Sequence, residues 1–392
     1  MRKVDLLIIG SGPAGISTAL HLLQKDQGWA KRIVLIEKAT HPRHKLCGGG
    51  VTRLGLAVLE NLGFNLPLPL HQAQVDDIRL VYERRTVHAR GRPQFVVFHR
   101  AELDAFLAQQ ARRRGAAIQE GEAVKRLTLH DDCVEVSTTQ DIYLAKAVVG
   151  ADGSKGITRR FMSEPGGRSR VARLLEVIQP APETAIQFTE RFALFDFTPV
   201  RDSLQGYFWD FPACIGGEAR FNRGIYDARC AASRPRAGLP QLLGNALAAL
   251  GADPNTVEVE GHPIHWFSPR GRFSKPRLLL VGDAAGVDPV FGEGIAPALG
   301  YGQVAAAAIE QAFATEEFSF AGYRRQVLNS PVGRYLLLRW FIAQGSYRLS
   351  GHPWFMHFVW TLGAVLATLW PQPAPLPEAE QILETAPEYP PN

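Results

Sequence analysis

The sequence is poor in cysteine, and this limits the kinds of site that it can build. Its 392 residues include only Cys47, Cys133, Cys214 and Cys230, whose spacing is neither a CxxC pair nor a set of zinc ligands. We therefore expect free thiols and no metal. No signal peptide precedes the first apolar segment, which starts at residue 4, so we expect a cytoplasmic protein in a reducing compartment.

The chain also lacks internal repeats and motifs for binding nucleic acid. The net charge of +5 is a mild basic excess that suits pyrophosphates or anionic lipid headgroups, and no nucleic-acid partner is expected. Arginine clusters at 112–114 and 168–173 are expected to be solvated. A hydrophobic content of 46% predicts a globular protein with one large domain or two subdomains.

The N-terminal segment has the pattern of a dinucleotide-binding strand, turn and helix. Gly10 allows a tight turn, Gly12 lets the backbone approach a pyrophosphate, and Gly15 lets the helix pack on the strand. Glu37 ends the next apolar strand, where a carboxylate can hold a ribose hydroxyl. The residues expected to contact the nucleotide are Gly10, Gly12, Pro13, Ala14, Gly15, Glu37 and Lys38.

Two further motifs follow later in the chain. Asp152-Gly153 follows one buried strand, and Asp283 follows another, with Pro289 and Gly292-Glu293-Gly294-Ile295 close behind. In this order and spacing the chain resembles the FAD-dependent monooxygenase-like superfamily with the p-hydroxybenzoate hydroxylase fold, over roughly residues 1–300. The resemblance implies that FAD is bound, in part by Arg100, Ala123, Asp152, Gly153, Asp283, Pro289, Gly292, Gly294 and Ile295.

The resemblance implies an α/β fold with a Rossmann-like FAD-binding domain, a β-rich substrate domain and C-terminal helices. We predict the FAD-binding domain at 1–75, 100–175 and 270–315, and the substrate domain at 76–99 and 176–269. Helices are predicted at 316–370 and a disordered tail at 371–392, which is rich in proline and glutamate. Residues 77–98 are predicted to form two strands around a turn at Gly91.

A thiol-glycine segment, Lys45-Leu46-Cys47-Gly48-Gly49-Gly50, resembles the CGGG signature of the geranylgeranyl reductase family. Consecutive glycines let the backbone pass close to a planar ring. The resemblance places Cys47, Gly48, Gly49 and Gly50 against the flavin. Cys47 is either an inert spacer or a group that donates a proton, and the sequence does not decide between the two.

The segment Tyr207-Phe208-Trp209-Asp210-Phe211-Pro212 resembles the YxWxFP pattern of the same reductases. Strand alternation places Tyr207, Trp209 and Phe211 on one face, as an apolar wall suited to an isoprenoid chain. Alone, such a stripe is more typical of a protein core. The predicted substrate residues are Tyr207, Trp209, Phe211 and Pro212. Tyr207 and a water held by the glycine loop are further candidate proton donors.

The resemblance predicts an FAD-dependent oxidoreductase that reduces C=C bonds of an isoprenoid such as a geranylgeranyl group. Flavin monooxygenases and halogenases remain alternatives, although a halogenase WxWxIP motif would need tryptophan at Tyr207 and isoleucine at Phe211. A non-catalytic FAD-binding protein is a third. Because no second GxGxxG exists, the electron donor is expected to be diffusing NAD(P)H, a ferredoxin or a reduced flavin.

Residues 354–370 form an uncharged apolar segment that contains three tryptophans. Three interpretations compete, namely a core helix, a helix in peripheral contact with a membrane, and a short membrane span. Arg334, Arg339 and Arg348 precede the segment and can meet anionic headgroups or solvent. The predicted location is therefore cytoplasmic, with peripheral membrane contact left open.

Overall fold

The computed structural model describes residues 1–162 and 171–369. Arg168, Arg170, Trp370 and the tail predicted at 371–392 lie outside the described residues. The described strands are β1 (Arg2–Ile9), β2 (Ile33–Ile36), β3 (Gly50–Thr52), β4 (Gln72–Tyr82), β5 (Arg85–Phe98), β6 (Ala117–Gln119), β7 (Val124–Leu129), β8 (Val134–Thr138), β9 (Ile142–Gly150), β10 (Val171–Pro180), β11 (Phe192–Asp196), β12 (Gly206–Ile215), β13 (Glu218–Asp227), β14 (Glu260–His265), β15 (Ser274–Lys275) and β16 (Leu278–Leu280).

Six of the described α-helices lie between strands, and the last four follow β16. The described α-helices are α1 (Pro13–Lys25), α2 (Arg53–Asn61), α3 (Arg100–Arg113), α4 (Ile157–Met162), α5 (Ile186–Thr189), α6 (Leu239–Ala249), α7 (Ile295–Thr315), α8 (Tyr323–Asn329), α9 (Pro331–Leu349) and α10 (Pro353–Leu369). The predicted helices near 52–62 and 238–250, and the helical region from 293, are confirmed.

The first sheet has a parallel centre, in the order β16-β9-β1-β2-β6. Its strands are short and apolar, as expected when helices cover both faces of a parallel sheet. Helix α1 packs tightly on α7, where the Ser17 hydroxyl donates to the Leu299 carbonyl (2.7 Å) and a Cβ on Gly302 would lie 2.4 Å from Ser17 Oγ. This packing fixes the start of both helices beside the ends of the parallel strands.

The second sheet has the order β14-β10-β13-β12-β11-β4-β5-β3 and is antiparallel except at the β11–β4 pair. The predicted α/β class is confirmed. Sheet membership differs from the predicted ranges in detail, because β3 and the first residues of β4 and β10 belong to the second sheet. The predicted turn at Gly91 is wrong, since Gly91 lies within β5 and the chain turns at Glu83, whose φ is 55°.

Candidate active site

Four sequence motifs meet at one edge of the first sheet. Gly10 follows β1, Glu37 follows β2, Asp152 follows β9, and Asp283 follows β16. These four strands are neighbours and parallel, so their carboxyl ends lie side by side. The crevice outside the carboxyl ends of a parallel sheet is where ligands bind in folds of this kind.

A cavity of about 610 Å³ runs from this edge to the face of the second sheet. The predicted cofactor residues that line it are Gly10, Gly12, Pro13, Ala14, Glu37, Lys38, Cys47, Gly48, Gly49, Gly50, Arg100, Ala123, Asp152, Gly153, Asp283, Gly292, Gly294 and Ile295. Gly15 packs behind the turn, where its Cβ would lie 2.0 Å from the Gly10 oxygen. Pro289 instead offers its carbonyl to the Tyr226 hydroxyl (3.1 Å).

The turn after β1 requires glycine for two independent reasons. Gly10 has a φ of +102°, which L side chains rarely adopt, and a Cβ there would lie 2.5 Å from the Ala151 oxygen. Helix α1 begins three residues later with a proline, which needs no hydrogen-bond acceptor for its nitrogen. The free N–H groups of the first helical turn therefore point at the cavity, as anion binding requires.

Glu37 is fixed by backbone donors at this edge. Its Oε2 accepts hydrogen bonds from the N–H and the hydroxyl of Ser11 (3.0 and 3.2 Å), and its Oε1 accepts one from the Ala39 N–H (3.2 Å). The residue is 5% exposed and lines the cavity. A carboxylate held in this way presents a fixed acceptor to a ligand hydroxyl.

Arg100 brings a buried positive charge to the cavity. Its guanidinium makes two hydrogen bonds with the Asp104 carboxylate (2.9 and 2.8 Å), and Arg43 Nη2 lies 3.2 Å from the same carboxylate. Burial lowers the pKa of Arg100, but Asp104 and the neighbouring Cys47 outweigh it and hold this pKa above its ordinary value. The site therefore keeps a permanent cation beside Cys47.

The thiol-glycine segment bends sharply as it enters the cavity. Gly49 has a φ of +74°, and a Cβ there would lie 2.2 Å from the Phe98 oxygen, so no other residue fits without a shift of the backbone. A Cβ on Gly48 would contact the Phe211 ring at 3.4 Å. The bend thus passes directly over the second sheet, with Cys47 lining the cavity.

The residues before Cys47 bind strand β14. His44 Nε2 lies 2.9 Å from Glu260 Oε2, and Lys45 Nζ lies 2.8 Å from His262 Nε2. Burial lowers the pKa of Lys45, and burial and Lys45 together lower that of His262 to about 3. His262 is therefore neutral near pH 7, and its Nε2 can accept a hydrogen bond from Lys45 Nζ. Both residues line the cavity, and sequence reasoning missed both as site residues.

The predicted aromatic wall faces the cavity. Tyr207, Trp209 and Phe211 line it from β12, whereas Pro212 is buried and lies on the other face of the strand. The Tyr207 hydroxyl donates to the Phe291 carbonyl, and burial raises the pKa of Tyr207 well above its usual value. The Tyr207 hydroxyl proton is therefore held in a hydrogen bond to the backbone.

Helix α9 contributes a residue that the sequence did not indicate as part of the site. Arg339 lines the cavity, with Nη1 3.4 Å from the buried Asp288 carboxylate. Its guanidinium lies over the rings of Phe291 and Tyr335, at 4.9 and 4.7 Å from their centroids. Arg339 therefore faces the cavity, and of the three predicted headgroup arginines only Arg334 and Arg348 are exposed.

Comparison with known families decides what this cavity holds. Residues 3–299, about three quarters of the chain, match the family model described as FAD binding domain. The chain belongs to this FAD-binding family. The predicted cofactor is thereby confirmed as FAD, and the fit is physical as well, because the glycine turn, the helix start and the strand-end acids suit a dinucleotide. The chain is an FAD-dependent oxidoreductase, as predicted.

Two relatives have names that point to isoprenoid reduction. The chain is 29% identical over 331 residues to the chloroplastic geranylgeranyl diphosphate reductase of Arabidopsis thaliana, covering 79% of this chain and 66% of that protein. It is 25% identical over 362 residues to digeranylgeranylglycerophospholipid reductase 3 of Methanosphaera stadtmanae, covering 86% and 87%. These similarities support a flavin-dependent oxidoreductase of the geranylgeranyl reductase type, the family predicted from the CGGG and YxWxFP motifs.

A solved structure shares the whole architecture. A geranylgeranyl bacteriochlorophyll reductase-like protein from Thermoplasma acidophilum superimposes with a TM-score of 0.75 at 20% identity, covering 98% of this chain and 96% of that one. At this identity the likeness shows the fold, which confirms the predicted p-hydroxybenzoate hydroxylase type.

Proposed function

We propose that this FAD-dependent oxidoreductase reduces C=C bonds of an isoprenoid substrate of the geranylgeranyl type. The observation that carries the proposal is a single cavity that joins the nucleotide edge of the first sheet to the aromatic wall of the second, with the Cys47 bend between them. Reduced FAD supplies a hydride when bound. The names of the relatives support the same substrate class.

The chain's own residues meet the other needs of this reaction. Tyr207, Trp209 and Phe211 offer an apolar surface that excludes water and matches a prenyl chain. Reduction of an alkene also needs a proton at the second carbon. The geometry favours Cys47 over Tyr207 as its donor, because the Tyr207 hydroxyl is bonded to the Phe291 carbonyl while the Cys47 thiol lines the cavity.

The reaction is tested by photoreducing the holoenzyme anaerobically, with EDTA as the electron donor, and offering geranylgeranyl diphosphate. Mass spectrometry should find a gain of two mass units for each bond reduced. A gain of oxygen on admitting air, or of halogen when air and halide are both supplied, would instead assign a monooxygenase or a halogenase. Trials with NADPH, NADH, reduced ferredoxin and reduced FMN in place of light identify the donor.

The role of Cys47 is tested by Cys47→Ala. Loss of a positioned acid should lower turnover by roughly 10²- to 10⁴-fold while FAD content stays at the wild-type level. Cys230→Ala is the matched control, since this thiol is half-buried and is not among the residues that line the cavity. If Cys47→Ala turns over as fast as the wild type, Cys47 is an inert spacer.

We further propose that helices α9 and α10 rest on an anionic bilayer, from which an isoprenoid lipid can be taken. Both helices border the aromatic end of the cavity, since α9 supplies Arg339 and the α10 residue Trp360 donates to the carbonyl of Leu80, which lines the cavity. Their outer surface is unusually apolar. The exposed large apolar residues of the two helices are Leu338, Phe341, Ile342, Leu349, Trp354, Phe358, Leu362 and Val365.

The charged residues of α9 and α10 themselves are all arginines. Arg334 and Arg348 are exposed on the same face of α9 as Leu338 and Phe341, by helical spacing. The sequence contains no Asp or Glu between Glu317 and Glu378. An apolar face flanked by arginines and free of carboxylates suits the surface of an anionic membrane. Within the described ranges no helix has both the length and the hydropathy to span a bilayer.

A further inference from the structure

The peptide groups of Cys47 are held from both sides by side chains of the second sheet. The Cys47 N–H lies beside the carboxylate of Glu176 on β10 and lowers the pKa of that carboxyl. The Cys47 carbonyl accepts a hydrogen bond from Asn222 Nδ2 on β13 (3.3 Å), and Asn222 Nδ2 also donates to Glu176 Oε1 (3.3 Å). Glu176 and Asn222 thus form a clamp around one residue of the bend.

The same clamp reaches the aromatic wall. The Trp209 indole N–H donates to Asn222 Oδ1 at 2.8 Å. Trp209 lies over Gly224, where a Cβ would be 2.3 Å from the indole ring, so the indole has little freedom to move. Asn222 therefore couples the position of Cys47 to the position of the wall.

Glu176 is an unusual choice for a purely structural clamp. The residue is 6% exposed, and in the described part of the chain its Oε2 has no hydrogen-bond partner. A buried carboxylate with one unsatisfied oxygen is costly, whereas an amide would carry no charge but would be a weaker hydrogen-bond acceptor. Burial raises the pKa of Glu176 to about 7, with nearby Glu260 raising it and Asn222, the Cys47 N–H and Arg100 lowering it.

We propose that Glu176 is a positioning residue for Cys47, whose ionised carboxylate fixes the thiol-glycine bend and whose protonation releases it. The ionised form only accepts hydrogen bonds, so it holds the Cys47 N–H and the Asn222 amide at once. The protonated form has a weaker acceptor and a new donor, so the bend loosens. This proposal rests on the proposed function, because the position of Cys47 affects turnover only if Cys47 is the proton donor.

The test measures how fast N-ethylmaleimide modifies Cys47 in the FAD-loaded protein between pH 5.5 and 8.5, by peptide mass spectrometry. Rates are compared between wild type and Glu176→Gln, and Cys133, in the turn between β7 and β8, is the internal reference. Dividing the two rates for Cys47 at each pH removes the ordinary titration of the thiol. We expect the wild-type rate to fall below the Glu176→Gln rate by about fivefold as pH rises through 7, the size expected for one hydrogen bond.

Two further variants separate positioning from general destabilisation. Glu260→Gln, on the adjacent strand β14, removes an exposed neighbouring carboxylate and should keep the pH-dependent step. Asn222→Ala opens the clamp on the carbonyl side and should raise the Cys47 rate at every pH. The proposal is overturned if the ratio of the Cys47 rates in wild type and in folded, FAD-loaded Glu176→Gln is constant with pH. It is also overturned if Cys133 shows the same step.

This result is independent of the proposed reaction because no prenyl substrate is used. A step at pH 7 without prenyl reduction would leave the clamp in place and refute the function. Prenyl reduction without the step would leave the function in place and refute the clamp.

Discussion

The two sheets build the cavity in different ways. The edge of the first sheet is made of turns that are each local in sequence, such as Gly10 after β1 and Asp283 after β16. The part of the cavity at the second sheet is held by contacts between distant segments, such as the Asn222 side chain with the Cys47 carbonyl and Arg339 with Asp288. Nucleotide binding thus depends on backbone geometry, whereas the proposed substrate region depends on packing between strands. Substitutions in the two regions should therefore separate FAD binding from substrate use.

The largest effect should come from the wall. Trp209→Ala removes a buried indole, which is expected to cost roughly 3–5 kcal/mol of unfolding free energy, and to impair long prenyl substrates while FAD content is kept. Urea unfolding and a series of prenyl diphosphates of increasing length measure this. Trp209→Phe keeps one aromatic ring and loses part of the indole volume and the bond to Asn222, so it should be milder in both assays. Equal use of short and long chains by Trp209→Ala would remove the wall from substrate binding.

The clamp should also change how the free energy of unfolding depends on pH. Burial raises the pKa of Glu176 to about 7, so between about pH 4.5 and 7 the folded protein retains a proton that the unfolded chain releases. As pH rises from about 4.5 to 7, the free energy of unfolding of the wild type should therefore fall by roughly 3 kcal/mol more than that of Glu176→Gln. Above pH 7 the difference between the two proteins should stay constant. Urea unfolding at pH 5 and pH 8 gives the comparison. Parallel pH curves for the two proteins would contradict it.

On the nucleotide side, Asp283→Ala should lose FAD. Asp283 lines the cavity at the end of β16, and loss of a charged acceptor there should weaken FAD binding by roughly 10- to 100-fold, or about 1.5–3 kcal/mol. Fluorescence titration of flavin-free protein measures this. Asp5→Ala is the control, because Asp5 is in β1 and pairs with Arg32 and Lys146 instead. A variant as yellow as wild type would show that Asp283 does not hold the cofactor.

The same contrast explains what the sequence could and could not predict. The turn residues were predictable because glycine spacing encodes a local backbone shape, and parallel strands bring their ends together. The clamp was not, because Glu176, Asn222 and Cys47 lie on three segments whose neighbourhood depends on strand order. Gly91 was misread because a glycine inside a long strand looks like a turn, whereas the true turn uses Glu83 at positive φ.

The smallest expected effect concerns the outer surface of α9 and α10. The double variant Phe341→Ser/Phe358→Ser should bind vesicles of phosphatidylglycerol and phosphatidylcholine about tenfold more weakly than wild type, or about 1.4 kcal/mol, because two rings no longer leave water. Leu250→Ser, an exposed apolar residue after α6, is the matched control and should bind as wild type. Binding should weaken with salt and on pure phosphatidylcholine. If the wild type binds neither vesicle type but sediments as a dimer that the double variant disrupts, this surface is an interface between copies of the chain. Substrate must then reach the cavity by another route.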